Sequence, residues 1–143
     1  MNDIKIGQVL SLIIRFNNSG LTATSRHPYL VVDVNNELKY IEIAQLDSLF
    51  GKEHKAARRT NKVIYCSDPV ETVIDKDSYI QLDNCIRIEQ YDELAKFRRQ
   101  PDTLSEKKLR IVLDAYNYYH TKFRIDEDKI VFMDYEEITR LNP

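Results

Sequence analysis

The spacing of hydrophobic and polar positions changes about two-thirds of the way along this chain, and the change predicts a sheet followed by a helix. Residues 7–16 are rich in β-branched and aromatic side chains and read as a strand, which Asn17, Asn18, Ser19 and Gly20 stop with turn chemistry. Residues 29–34 read as a second strand, Asn35 and Asn36 as a tight turn, and residues 38–46 as a third strand that completes a meander. Shorter strands are expected at 63–66, 78–82 and 85–88, which makes five or six in all, with a long loop over 47–61. Beyond Thr103 the apolar positions Leu109, Val112, Leu113, Tyr116, Tyr119 and Phe123 recur at intervals of three and four. They form one face of a helix through about residue 122 that packs on the sheet. Thr103 and Glu106 match a capping box, so the helix is expected to start there. Asp92 is expected to cap a short helix that ends before Pro101. Ile130, Val131, Phe132 and Met133 read as an added strand or an ordered tail. Few strands followed by a helix predict an α+β fold, a small, partly open barrel or coiled sheet.

At 143 residues the chain suits one domain with one core, its last stretch, 124–143, forming an acidic C-terminal extension. No apolar run is long enough to span a bilayer, and the first residues lack a secretory apolar region, so a cytoplasmic protein with no membrane partner is expected. Cys66 and Cys85 stand alone without metal-ligand spacing; neither a metal nor a cofactor is expected. The net charge of −2 excludes an indiscriminate polycation, but the charge is polarised. Residues 52–62 carry Lys52, Lys55, Arg58, Arg59 and Lys62 against Glu53, whereas residues 126–137 carry six carboxylates against Lys129. The acidic stretch is expected either to keep an added edge strand soluble or to lie against the basic loop as a mimic of RNA.

The chemistry-bearing stretch is Arg26, His27 and Pro28, directly before the apolar run at 29–34. Proline fixes its own φ and drives His27 toward an extended conformation, so two basic side chains are aimed from the mouth of a strand by stiff backbone. Such groups suit cleavage of a phosphodiester. A cation holds the charge of the phosphorane, and imidazole, which titrates near neutrality, takes or gives a proton.

The order of these pieces resembles the MazF/PemK family of toxin endoribonucleases over roughly residues 6–120. Gly7, Gln8, Val9 and Leu10 resemble the family's opening Gly-Asp-hydrophobic strand. Arg26, His27, Pro28 and the aliphatic run after them resemble its Arg-Pro element, and residues 41–48 its third strand ending in a Thr-Ser or similar pair. The segment from Ile74 through Asp83, Asn84 and Arg87 to Glu89 resembles its late acidic-Ser turn, paired strands and Arg. The resemblance implies an SH3-like barrel, a homodimer, metal-independent and sequence-selective cleavage of single-stranded RNA, and neutralisation by a cognate antitoxin protein. It implies Arg26 as phosphorane stabiliser, His27 as base or acid, Asp83 as the acidic position used as a base, and Ser48 or Asp47 at the family's Thr position. Asn17, Asn18, Lys52, Lys55, Arg58 and Arg59 are the expected RNA-binding residues. The chain departs from the family pattern in placing His27 immediately before the proline, in Leu46, Asp47 and Ser48 without a threonine, and in Gln81 where the PemK type has arginine. The alternative reading is a noncatalytic module of the same shape that binds RNA or a protein.

Overall fold

Strands β1 (Val9–Leu12), β2 (His27–Asn35) and β3 (Tyr40–Ser48) form an antiparallel meander in a computed structural model that describes residues 4–143. After β3 come a single helical turn, α1 (Glu53–Ala56), and strands β4 (Asn61–Ile64), β5 (Ser78–Gln81) and β6 (Cys85–Glu89). A 3₁₀ helix (Asp92–Phe97), the long helix α2 (Glu106–Lys122), strand β7 (Ile130–Met133) and helix α3 (Tyr135–Leu141) complete the chain. The fold is α+β with one seven-stranded sheet.

β3 organises the sheet. One of its edges pairs with β2, while the other pairs first with β6, Tyr40 opposite Glu89 through Ile43 opposite Ile86, and then with β5, Leu46 opposite Ile80 through Ser48 opposite Ser78. β4 adds outside β5, and β7 adds parallel to β6. A parallel neighbour requires a long crossover, which the stretch carrying α2 supplies.

Successive residues of a strand point to opposite faces, and here both faces are covered. Leu10, Tyr29, Val31, Ile41, Ile43, Ile86 and Ile88 enter one apolar cluster with Leu94, Val131, Met133 and Ile138. Their chain neighbours Val9, Leu30 and Ala44 enter another with Leu46, Ile80, Leu104, Val112, Tyr116 and Tyr119. α2 therefore lies on one side of the sheet, as its periodicity predicts, and the 3₁₀ helix and α3 lie on the other. Among the described residues no helix is long and apolar enough to cross a membrane.

Several expectations need correction. The count of five or six strands becomes seven among the described residues, because the added strand expected at Ile130–Met133 is present as β7, and it leads into an unexpected helix, α3, whose cap Asp134 accepts from the Glu137 amide at 2.9 Å. The first strand stops at Leu12: the amide of Ile13 donates to Asn142 Oδ1 at 2.8 Å, a side chain from the far end of the chain, instead of a neighbouring strand. The long loop contains α1. Thr103 does not cap α2. The Leu104 amide goes to the Gly7 carbonyl and the Ser105 amide to Glu71 Oε1, at 2.9 and 2.7 Å, so long-range partners take these donors and the helix begins at Glu106.

Candidate functional site

Because β2 and β3 are antiparallel, with Tyr29 opposite Gln45, the start of β2 lies beside the end of β3. This register brings Arg26, His27, Asp47, Ser48 and Lys52 to the wall of one cavity of about 380 Å³. Arg26 is exposed, with its guanidinium 4.9 Å above the ring of Phe97, while His27 is half-buried. Two cations absent from the sequence expectation complete the wall, Lys76 and Arg99. Lys76 arrives because Ser78 pairs with Ser48, and Arg99 because its amide donates to the Val9 carbonyl at 2.8 Å, drawing residues 98–99 along β1. The local signals for them are the charged turn Asp75, Lys76, Asp77 and the pair Arg98, Arg99 before Pro101.

Asp47 and Lys52 also border a second cavity of about 270 Å³, whose wall includes Lys55, Arg58, Asp83 and Lys129. A third, of about 250 Å³, shares Gln81, Asp83 and Lys129 with the second and includes Asn17. The three are thus contiguous, and the first two bring seven Lys and Arg side chains together with Asp47, Asp75 and Asp83. In a shared concave surface such an excess concentrates the positive field, which neutralises an anionic chain more effectively than scattered cations do.

Asp47 sits between a carboxamide and an ammonium. Its Oδ2 accepts from Gln81 Nε2 at 3.2 Å, and Lys52 Nζ stands 3.9 Å from Oδ1. Burial, and then the charge of Asp47, raise the titration of the fully buried Tyr29 phenol, and the same causes in the same order raise Tyr79. Both phenols stay protonated beside the carboxylate. Ser48 Oγ accepts from the Phe50 amide at 3.3 Å.

Other site expectations separate. Asp83 lines the second and third cavities and not the one formed by Arg26 and His27, and it is ion-paired to Lys129 at 2.6 Å. That hydrogen bond is the main reason the Lys129 ammonium is held above its ordinary value. Arg59 points elsewhere, lying 4.8 Å above the Phe123 ring. Asn18 Nδ2 donates to the carbonyls of Glu127 and Ile130, and its Oδ1 accepts from Arg15, so its side chain ties the first loop to the C-terminal segment. Several carboxylates of that segment have partners other than the basic loop: Asp126 caps a turn, Asp134 caps α3, Asp128 Oδ1 accepts from Ser19 Oγ at 2.8 Å, and Glu137 pairs with Arg15 at 2.7 Å. What the C-terminal segment contributes to the groove's cation count is Lys129.

On the side of the sheet that α2 covers, Glu42 is buried between Arg87, at 2.9 Å, and the Tyr116 hydroxyl, whose ring stacks on His120 at 4.0 Å. This network fastens α2 to β3 and β6. Burial, followed by the Glu42 charge, pushes the adjacent Cys85 thiol up to about 11, which makes it a poor nucleophile. No protein-family model matches the chain, and no curated protein matches it.

Proposed function

We propose that this protein is a metal-independent, sequence-selective endoribonuclease of the MazF/PemK type that cleaves single-stranded RNA. The observation that carries the reading is the convergence of Arg26, His27, Asp47, Ser48 and Lys52, residues separated by up to 26 positions, on one cavity that opens into a cation-rich groove. The exchange of partners along β3, whose edge passes from β6 to β5, supports an SH3-like barrel as the underlying form. The remaining parts of the proposal, a homodimer and neutralisation by an antitoxin protein, rest on the resemblance in sequence.

The residues present suit transesterification. His27 or Asp47 takes the proton of the ribose 2′-hydroxyl, and that oxygen attacks phosphorus. The phosphorane charge is held by Arg26, Lys76 and Arg99, and the 5′-oxygen leaves with a proton from the partner acid. The products are a 2′,3′-cyclic phosphate and a free 5′-hydroxyl. Asp83, outside this cavity and paired to Lys129, is not needed for these steps and serves the groove beside it. Its displacement favours a second reading, a noncatalytic RNA-binding module built on the same surface.

Incubation with single-stranded RNA in EDTA, followed by sequencing of the product ends, separates the two. Cleavage at a defined motif is expected, and Arg26→Ala and His27→Ala should each slow it by about 100-fold or more. Neither should shift the unfolding midpoint by much, because Arg26 is exposed and His27, half-buried at the mouth of β2, belongs to neither apolar cluster. Wild-type rates in both variants would remove the assignment, and binding without fragments would favour the module.

A further inference from the structure

We propose that the third cavity, at the end of the groove bordered by Lys129, receives one nucleobase turned out of the bound strand. The proposal rests on the RNA reading above and adds a recognition pocket to it. The cavity, of about 250 Å³, is smaller than the usual range of about 300–1,000 Å³ for drug-sized sites and suits a single planar ring.

Four carboxamides line it, and their hydrogen bonding is incomplete. Gln45 has no side-chain hydrogen bond among the described residues. Asn17 Oδ1 accepts from the Leu21 amide at 3.2 Å, which leaves its NH₂ group for another partner. Asn84 is 8% exposed, yet its Oδ1 has no partner and its Nδ2 reaches only Gln81 Oε1, at 3.5 Å. A buried amide left so underused is unfavourable unless something else completes it. Phe16, half-buried at the same wall, offers an apolar ring for stacking.

This chemistry selects a base over a phosphate. Carboxamides present a donor and an acceptor side by side, the complement of a base edge, whereas a phosphate needs donors alone. The cation at this wall, Lys129, is already paired to Asp83, and Asp128 adds a second carboxylate, so an anion is disfavoured inside while the strand's phosphates meet the cations of the adjoining cavities. Unstacked bases read by amides and aromatic rings are the general basis of sequence-specific single-strand recognition.

The test uses 2′-O-methyl oligomers of A, C or U and an abasic strand of equal length, so that binding is read without cleavage. Wild-type protein should favour the best base over the worst, and over the abasic strand, by about tenfold or more. Gln45→Leu and, separately, Asn17→Ala should each shrink that ratio to about threefold or less while leaving the salt dependence of binding unchanged. Thermal unfolding of each variant checks that the fold is retained, and Asn17, in a loop, serves if Gln45→Leu does not fold. Salt-dependent binding without base preference, or a preference that survives both substitutions, overturns the pocket and leaves the groove standing. Absence of any salt-dependent binding overturns both.

Discussion

Salt dependence is the most direct test of the groove, because its magnitude can be worked from the cations that line it. Arg26, Lys52, Lys76 and Arg99 face the first cavity, and Lys55, Arg58 and Lys129 the second. Lys129 is held by Asp83 at 2.6 Å and Lys52 lies 3.9 Å from Asp47, so between five and seven of them are available to phosphates. With about 0.7 counterion released per contact on a single strand, the slope of log K against log salt is about −3.5 to −5, and affinity falls by about 10²- to 10³-fold between 50 and 200 mM salt. Replacing Lys55 and Arg58 by alanine removes two contacts and should flatten the slope by about 1.4. Arg59→Ala is the internal control: Arg59 belongs to the same basic loop but lies over Phe123, and its loss should leave the slope unchanged. Fluorescence anisotropy of a labelled 2′-O-methyl strand in EDTA reads all three proteins. A wild-type slope shallower than about −1, or an Arg59→Ala effect equal to that of the double variant, would refute the reasoning.

Three further outcomes concern the scaffold. Lys108 Nζ lies 3.2 Å from the Glu71 carboxylate, their side chains only 12% and 1% exposed, so Lys108→Met should cost about 3 kcal/mol in urea unfolding and Glu71→Gln added to it should restore part of the loss; a cost below about 0.5 kcal/mol sinks the idea. Burial works against ionisation of Glu71, but hydrogen bonds from Ser105 and Lys108 outweigh it and hold the group below its usual 4.5; the stability it provides is present above that pH and is lost as pH falls through the lower folded value, so a pH series on wild type should show a decline in acid. Truncation after Arg124 removes Val131, Met133 and Ile138, each 1% exposed or less, at about 1.5–3 kcal/mol apiece, a sum comparable with the whole stability of about 5–15 kcal/mol. The truncated chain should therefore show no cooperative melt by circular dichroism, and a native-like melt would make the C-terminal segment dispensable.

How much of this fold is legible in the sequence depends on whether the deciding contact is local. The strands expected over residues 29–34 and 38–46 lie close to their observed bounds because β-branched runs settle them within a few residues, whereas the turn runs over residues 36–39, with Asn35 paired to Tyr40, rather than over Asn35 and Asn36. The capping signature shows the opposite case. Thr103 with Glu106 and Asp134 with Glu137 have the same acceptor-x-x-Glu form, yet only Asp134 caps a helix. At Thr103 the following amides are claimed by Gly7 and Glu71, positions remote in the chain, and no local pattern reports that competition.

The candidate site divides along the same line. Arg26, His27, Asp47 and Ser48 come together through one hairpin register, which a sequence reading can supply, since antiparallel neighbours place the mouth of one strand beside the end of the next. Lys76, Arg99 and Lys129 come from the turn before β5, the segment along β1 and the turn before β7, each positioned by a long-range pairing. Asp83 leaves the expected group for a topological reason: β5 meets Ser48 through Ser78, and Asp83 lies beyond the opposite end of that strand. Composition conceals the groove most fully. A chain of net charge −2 brings seven Lys and Arg residues to one surface, of which, among the described residues, only Lys129 and Lys52 stand near a carboxylate, Asp83 and Asp47, while Glu42, Glu71 and Glu137 are paired elsewhere with Arg87, Lys108 and Arg15. The field that an anionic strand meets is set by charges left without partners, and that remainder is a property of the fold.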